Sequence, residues 1–187
     1  MNKIIKIMGC SGAGKTTAAR SILDTSHDSL ALRNANGKDE AYSTLHQGVS
    51  GPVYLLGNYR GANCGGMDTI GSAAEAIRLV GKYASLGHVV HEGLLQSTYY
   101  GAMGTDSLQY GDRYVYALLD TPIELCLERV VQRREANGST NKFNPQLTRD
   151  KHVSVKRAWE TARSRGHICV VLDHTQSMYP QLMELLK

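Results

Sequence analysis

The amino-acid sequence predicts an α/β protein whose mainly parallel sheet is covered by helices on both faces. Short apolar runs alternate along the chain with longer segments in which apolar residues recur at helical spacing. The first apolar run ends at a glycine-rich stretch that leads directly into such a segment. Strands that alternate with helices form βαβ units, in which the strands are parallel. We therefore expect three layers around a sheet of about five strands.

The individual elements follow from the same patterns. Apolar residues run together in the predicted strands, at residues 3–8, 52–58, 88–91, 113–119 and 167–172. Apolar residues repeat at helical spacing in the predicted helices, at residues 15–23, 70–86, 123–137, 144–165 and 180–186. Residues 27–51 keep no period, which predicts loops with at most one short helix, and the glycine-rich residues 57–66 predict another loop.

The length and composition limit the kind of protein this can be. The chain has 187 residues, of which 42% are hydrophobic, as expected of a single domain over residues 1–187. A formal net charge of +4 suits a protein that handles phosphates but identifies no partner. No apolar run approaches the roughly 20 residues that cross a bilayer, and the four cysteines form no C-x-x-C pair. We expect a cytoplasmic protein with no membrane contact; whether it is a monomer or a homodimer stays open.

Residues 9–16 match the phosphate-binding pattern G-x-x-x-x-G-K-[ST], the P-loop or Walker A motif, between a predicted strand and a predicted helix. The glycines let backbone N–H groups surround phosphate oxygens, Lys15 reaches the outer phosphates, and the Thr16 hydroxyl ligates Mg²⁺. The alternative is an ordinary glycine-rich turn, although a chance match is expected in roughly one such chain in a hundred or fewer. The motif predicts binding of ATP and Mg²⁺ by Gly9, Ser11, Gly12, Ala13, Gly14, Lys15, Thr16 and Thr17.

Glu92 follows the predicted strand at residues 88–91. Ligands of open α/β sheets gather at the carboxyl ends of the strands, so this carboxylate could orient Mg²⁺ or accept a proton. The alternative is a solvated acid at a strand end. The sequence predicts Glu92 as a catalytic and metal-binding residue beside Thr16.

Residues 59–69 combine an aromatic ring, a cation, several glycines and an acid. Tyr59 could stack on a base, Arg60 could pair with a phosphate, and Asp68 could accept the proton of an attacking hydroxyl. Asp68 also directly precedes an apolar periodic segment, so it could instead cap that helix. We predict an acceptor site at these three residues, with Asp68 in a catalytic role.

Arg129 and Arg133 lie four residues apart on a predicted helix and share one face. They could neutralise charge on the transferring phosphate, or they could form a solvated face with nearby glutamates. The polar residues 138–144 that follow are typical of a mobile lid, which we predict over residues 129–146.

The predicted helix at residues 144–165 carries six basic residues. Nucleic acid could lie along them, or they could form the polar side of an ordinary amphipathic helix. The six are Arg149, Lys151, Lys156, Arg157, Arg163 and Arg165.

The order of these motifs resembles the thymidylate kinase and nucleoside monophosphate kinase group. The resemblance rests on the P-loop, on Glu92 after a middle strand, and on the run LDTPIE at residues 119–124, which leads to Glu128 and Arg129. It extends over nearly the whole chain and implies a P-loop NTPase three-layer sandwich with strand order 2-3-1-4-5. Two features depart from the group: Glu92 is followed by a glycine instead of an arginine, and residues 57–61 (GNYRG) differ from theirs.

Within that group, the short length and residues 57–60 and 65–68 resemble small phage-encoded P-loop kinases. Some of these phosphorylate 5-hydroxymethyluracil within DNA, as a step in thymine hypermodification. The resemblance implies an ATP-dependent phosphotransferase with such DNA as its hydroxyl acceptor, the base entering near Tyr59 and Asp68. Two alternatives stay open: a kinase of a free nucleoside, nucleotide or other small metabolite, and a nucleotide-dependent switch or ATPase.

Overall fold

The computed structural model describes residues 1–26, 28–60 and 65–187. Over these residues, seven strands form one mixed sheet in the order β2-β3-β4-β5-β1-β6-β7. The strands are β1 (Ile4–Met8), β2 (Ser29–Arg33), β3 (Asp39–Thr44), β4 (Val53–Leu56), β5 (His88–Glu92), β6 (Tyr114–Leu119) and β7 (Ile168–Leu172). The α-helices are α1 (Lys15–Thr25), α2 (Ala73–Ala84), α3 (Leu94–Ser97), α4 (Gly101–Ser107), α5 (Ile123–Ala136), α6 (Pro145–Ser164) and α7 (Met178–Leu186).

The sheet separates two hydrophobic cores. The central strand β1 is buried along its whole length, as expected of a parallel strand covered on both faces. Ile4 and Met8 of β1 pack with residues of α2, α4 and α6, whereas Ile5 and Ile7 pack with residues of α1, α5 and α7. The protein is therefore an α/β structure of three layers.

The predicted five-stranded sheet in the order 2-3-1-4-5 is wrong for the sheet as a whole. Strands β4, β5, β1, β6 and β7 are parallel neighbours, but β2 and β3 add two antiparallel strands beyond β4. Both lie in residues 27–51, where loops were expected. The turn between them is held by Asn34, whose side-chain oxygen accepts the backbone N–H groups of Asn36 and Lys38, and Gly37 adopts a positive φ of 72°.

The other predicted elements are found within three residues of their predicted ends. Residues 93–112 had no prediction and contain α3, α4 and most of a 3₁₀ helix at Leu108–Arg113. A second 3₁₀ helix, Met67–Thr69, precedes α2. No helix in the described part of the chain is long and apolar enough to cross a membrane.

Candidate active site

The glycine-rich loop at residues 9–16 connects the end of β1 to the start of α1 and forms one wall of a cleft of about 1020 Å³. Gly12 and Gly14 have positive φ angles of 80° and 103°, which other residues rarely adopt. A Cβ atom at Gly12 would also collide with the carbonyl oxygen of Cys126 in α5. Glycine at this position therefore lets α5 pack directly against the loop.

Two side chains that follow the neighbouring strand β6 support the loop. The Thr121 hydroxyl donates to the carbonyl oxygen of Ala13 (2.9 Å), and a guanidinium N–H of Arg129 donates to that of Gly12 (3.4 Å). Thr121 belongs to the run at residues 119–124, but the sequence predicts no role for it. The available sequence signal was the position of Thr121 just after β6, at the same edge of the sheet as the loop.

Seven of the eight predicted nucleotide-binding residues line the cleft. Ser11 to Thr17 all line the cleft, whereas Gly9 lies beneath the loop, where a Cβ would stand 2.8 Å from that of Ala13. The Lys15 side chain is 7% exposed, and its ammonium group donates to the Cys10 carbonyl oxygen (3.1 Å). Burial lowers the pKa of Lys15, while the nearby carboxylates of Glu92 and Asp68 oppose that shift.

Glu92 is the last residue of β5 and is 2% exposed. It accepts a hydrogen bond of 3.0 Å from the Thr16 hydroxyl, so two residues predicted from separate motifs meet in the cleft. Burial raises the pKa of Glu92, and Lys15 and Thr16 partly offset this effect. Gly66 leaves room for the carboxylate, because a Cβ there would collide with it.

Asp68 lines the same cleft and binds the start of α3. Its carboxylate oxygens accept the backbone N–H groups of Leu94 (2.6 Å) and Leu95 (3.1 Å). The alternative reading, in which Asp68 caps the helix that follows it in sequence, is wrong. That helix, α2, is capped by Ser72, whose hydroxyl accepts the N–H of Glu75 (3.1 Å). Asp68 therefore caps a helix 26 residues further along the chain.

The loop that carries Asp68 is closed at its base. Asn58 and Gly66 form an isolated antiparallel bridge, with hydrogen bonds of 3.3 and 3.0 Å between their backbones. Gly57 allows this approach, since a Cβ there would collide with the Gly66 backbone. The bridge thereby holds the chain next to Gly65 and Asp68, which both line the cleft.

The far wall of the cleft comes from α5 and from the segment that leads into α7. Arg129 and Arg133 of α5 both line it, together with Gln132 of the same face. The segment just before α7, including His174 and Gln176, completes the wall. No motif marks this segment in the sequence; its only signal is that it follows the carboxyl end of β7.

Comparison with known proteins identifies the family. No family model matches the chain. A 5-hmdU DNA kinase of Pseudomonas phage M6 is 33% identical over 172 residues, covering 88% of this chain and 87% of its own. A 5-hmdU DNA kinase of Pseudomonas phage PaMx11 is 34% identical over 154 residues, covering 80% and 79%. The chain belongs to the 5-hmdU DNA kinase family.

The kinase does not bring two of its predicted acceptor residues to the cleft. Tyr59 is 2% exposed, and its ring packs edge-on against Tyr42, with 6.2 Å between centroids. Arg60 donates to the Ser29 hydroxyl (2.9 Å) and lies over the Tyr42 ring. The structure thus places Tyr59 in the core and Arg60 against the β2–β3 hairpin. Residues 61–64, also part of the predicted acceptor loop, lie outside the described residues.

The kinase also carries a thiol in its glycine-rich loop. Cys10 lines the cleft, and its sulfur lies 3.7 Å from Nδ1 of His152 in α6. A hydrogen bond from the Cys126 thiol lowers the pKa of Cys10 to about 6, burial opposes the shift, and His152 and Lys15 add to it. Cys10 is therefore the more acidic thiol of this pair.

Proposed function

We propose that this kinase transfers the γ-phosphate of ATP to the hydroxymethyl group of 5-hydroxymethyluracil in phage DNA. The convergence of Lys15, the Thr16–Glu92 pair and Asp68 on one cleft carries the proposal. The names of the two relatives support the acceptor, since each covers about four fifths or more of the chain.

The cleft residues fit the triphosphate of ATP. The glycine-rich loop and the start of α1 supply backbone N–H groups of the P-loop type. Lys15, Arg129 and Arg133 supply positive charge on two walls of the cleft, whose volume of about 1020 Å³ is large enough for a nucleotide. The parallel strands around β1 and the loop at its carboxyl end further support a P-loop kinase fold like that of thymidylate kinase.

The same residues fit Mg²⁺. The Thr16 hydroxyl and the Glu92 carboxylate stand 3.0 Å apart at the foot of the loop, an oxygen pair suited to this hard cation. The described residues contain no cluster of three or more His, Cys, Asp or Glu that could hold a metal, and Mg²⁺ in kinases is commonly bound by one or two protein groups plus phosphates and waters. When bound, the ion would neutralise phosphate charge.

The two acids divide the remaining work. Glu92 is buried and occupied by Thr16, so we assign it to the metal. Asp68 is the other cleft acid; each of its oxygens accepts one N–H and keeps a further lone pair. In the proposed step, the hydroxymethyl oxygen bonds to the γ-phosphorus, the bond from that phosphorus to the bridging oxygen breaks, ADP leaves, and Asp68 takes the hydroxyl proton.

The proposal extends to the whole chain. We assign residues 1–187 to a single kinase domain and residues 129–146 to a lid, because α5 brings Arg129 and Arg133 to the cleft immediately before the α5–α6 connection. The host cytoplasm, where phage DNA and ATP are both present, is the proposed location.

The test uses γ-labelled ATP with Mg²⁺ and matched DNAs that contain either 5-hydroxymethyluracil or thymine, with free nucleosides and nucleotides in parallel. Label on the hydroxymethylated DNA alone would establish the proposed acceptor, and Lys15→Ala should abolish that label without unfolding the protein. Label on a free monomer alone would make the protein a metabolite kinase. Loss of ATP without any labelled acceptor would instead indicate a switch or ATPase.

A further inference from the structure

A second groove lies between α6 and the segment at residues 98–105, with a volume of about 460 Å³. Helix α3 connects it to the catalytic cleft: Leu94, its first residue, lines the cleft, and Thr98, directly after it, lines the groove. A helix of this length rises about 6 Å. The cleft and the groove are therefore separated, along this helix, by a length comparable to a nucleotide or two of DNA.

The groove is positively charged because basic residues of α6, and Arg165 directly after it, differ in their contacts. Arg149 and Lys156 each form a 2.8 Å ion pair with an acid in residues 120–124, and Arg163 lies over the ring of the tryptophan in α6. Arg157 and Arg165 are exposed and line the groove. The Arg165 guanidinium lies over the ring of Tyr100, which also lines the groove. Neither has an ion-pair partner among the described residues, and no described carboxylate lines the groove.

The groove also presents an aromatic platform. Tyr99 is 72% exposed, although its ring rests on the backbone of Gly101, where a Cβ would collide with it. The neighbouring Tyr100 forms a fixed floor: its ring stacks on Tyr116 at 6.5 Å and its hydroxyl bonds His167 (2.9 Å). The exposed ring thus lies beside two arginines that have no ion pair among the described residues. Such a combination binds single-stranded nucleic acid, because the ring stacks on a base and the arginines contact phosphates.

We propose that this groove holds the DNA strand next to the target nucleotide, with Tyr99 stacked on a flanking base and Arg157 and Arg165 on phosphates. This inference rests on the proposed function, because a base that is phosphorylated within DNA must leave the stack, and its flanking nucleotides then need a binding surface. The groove supplies that surface at the short distance from the cleft that α3 sets.

The test measures binding of a fluorescein-labelled single strand of about 20 nucleotides, longer than typical single-strand sites of about 4–16, with one 5-hydroxymethyluracil. Tyr99→Ala should weaken binding about 5- to 150-fold, the loss expected for one base–aromatic stack, and Tyr99→Phe should restore it. Each phosphate contact on a single strand contributes about 0.7 to the slope of log K against log salt concentration. The double variant Arg157→Ala with Arg165→Ala should therefore reduce the magnitude of that slope by about 1.4.

The matched control is Lys156→Ala with Arg163→Ala, which removes the same charge from the same helix but outside the groove. The proposal is overturned if this control weakens binding as much as the groove variants do, or if the folded groove variants bind like the parent. Binding is read without phosphotransfer, so the groove is tested even if the parent labels no DNA. If the parent protein binds the strand but transfers no label to it, the proposed function is rejected. If the groove variants label DNA as well as the parent does, only the groove proposal is rejected.

Discussion

Replacing Asp68 by asparagine separates the two roles that the cleft geometry gives to one carboxylate. As a cap, asparagine is about as good as aspartate, because its amide oxygen can still accept the Leu94 N–H. At most one of the two hydrogen bonds is lost, which costs about 1 kcal/mol. For a chain of this size, that loss lowers the melting temperature by about 2–4 °C.

The proton-accepting role of Asp68 does not survive the same change, since an amide cannot take the hydroxyl proton. General base catalysis contributes about 10²- to 10⁴-fold, which corresponds to about 2.7–5.5 kcal/mol of activation free energy. We therefore expect Asp68→Asn to lower kcat at least about 100-fold, while the KM for ATP and the melting temperature change little.

Steady-state phosphorylation of 5-hydroxymethyluracil DNA and thermal melting, measured on the same preparations, decide the matter. Asp68→Ala is the matched variant, because it removes both hydrogen bonds to α3 as well as the base. If Asp68→Asn kept most of its turnover and Asp68→Ala lost stability and turnover together, Asp68 would be only a cap and the proton would have another acceptor.

Three further predictions concern the loop and its neighbours. Burial raises the pKa of Glu92, so keeping this side chain ionised costs folding free energy at pH values above its unfolded-state pKa. Glu92→Gln should therefore raise the melting temperature at neutral pH but abolish Mg²⁺-dependent turnover. An unchanged turnover would contradict the role of Glu92. A non-glycine residue at a positive φ costs about 1–2 kcal/mol. Gly12→Ala should lower the free energy of unfolding by more than this, because its Cβ would also collide with α5. Gly37 has a similar φ and no described atom within 4 Å of an added Cβ, so Gly37→Ala should lose only that amount in denaturant titrations. The rate at which Cys10 reacts with iodoacetamide should rise with a midpoint near pH 6, its pKa, and ATP should protect it. Cys169, whose burial raises its pKa to about 11, serves as the slow internal control. A midpoint near pH 9 for Cys10 would refute the interaction with its neighbours.

The central part of the fold was predictable because its signals are local. The buried strand β1, the glycine-rich loop and α1 follow one another in sequence, so periodicity and a spaced motif suffice to find them. The β2–β3 hairpin was missed because β2 is largely exposed and the apolar residues of β3 do not alternate with polar ones. The Asn36-Gly37 pair in its turn was the available signal, since such pairs favour tight hairpin turns.

The site was predictable to the extent that sheet topology alone places residues together. Glu92 was expected at the edge where the loop lies, and it meets Thr16 there. The pairing of Asp68 with the start of α3 was not predictable, because that contact spans 26 residues and depends on a helix with no sequence signal. Tyr59 was misplaced for a related reason: an aromatic ring beside glycines looks the same in sequence whether it faces a ligand or the core.

The bridge between Asn58 and Gly66 bears on how relatives of this kinase could diverge. It joins the two ends of the segment between them just before Asp68, while Glu92 is held separately by the pairing of β5 with β1. Substitutions, insertions or deletions between the two ends, at residues 61–64, would then leave Asp68 and Glu92 in place. Relatives could therefore differ in the length and sequence of this segment and still inherit the same two cleft acids.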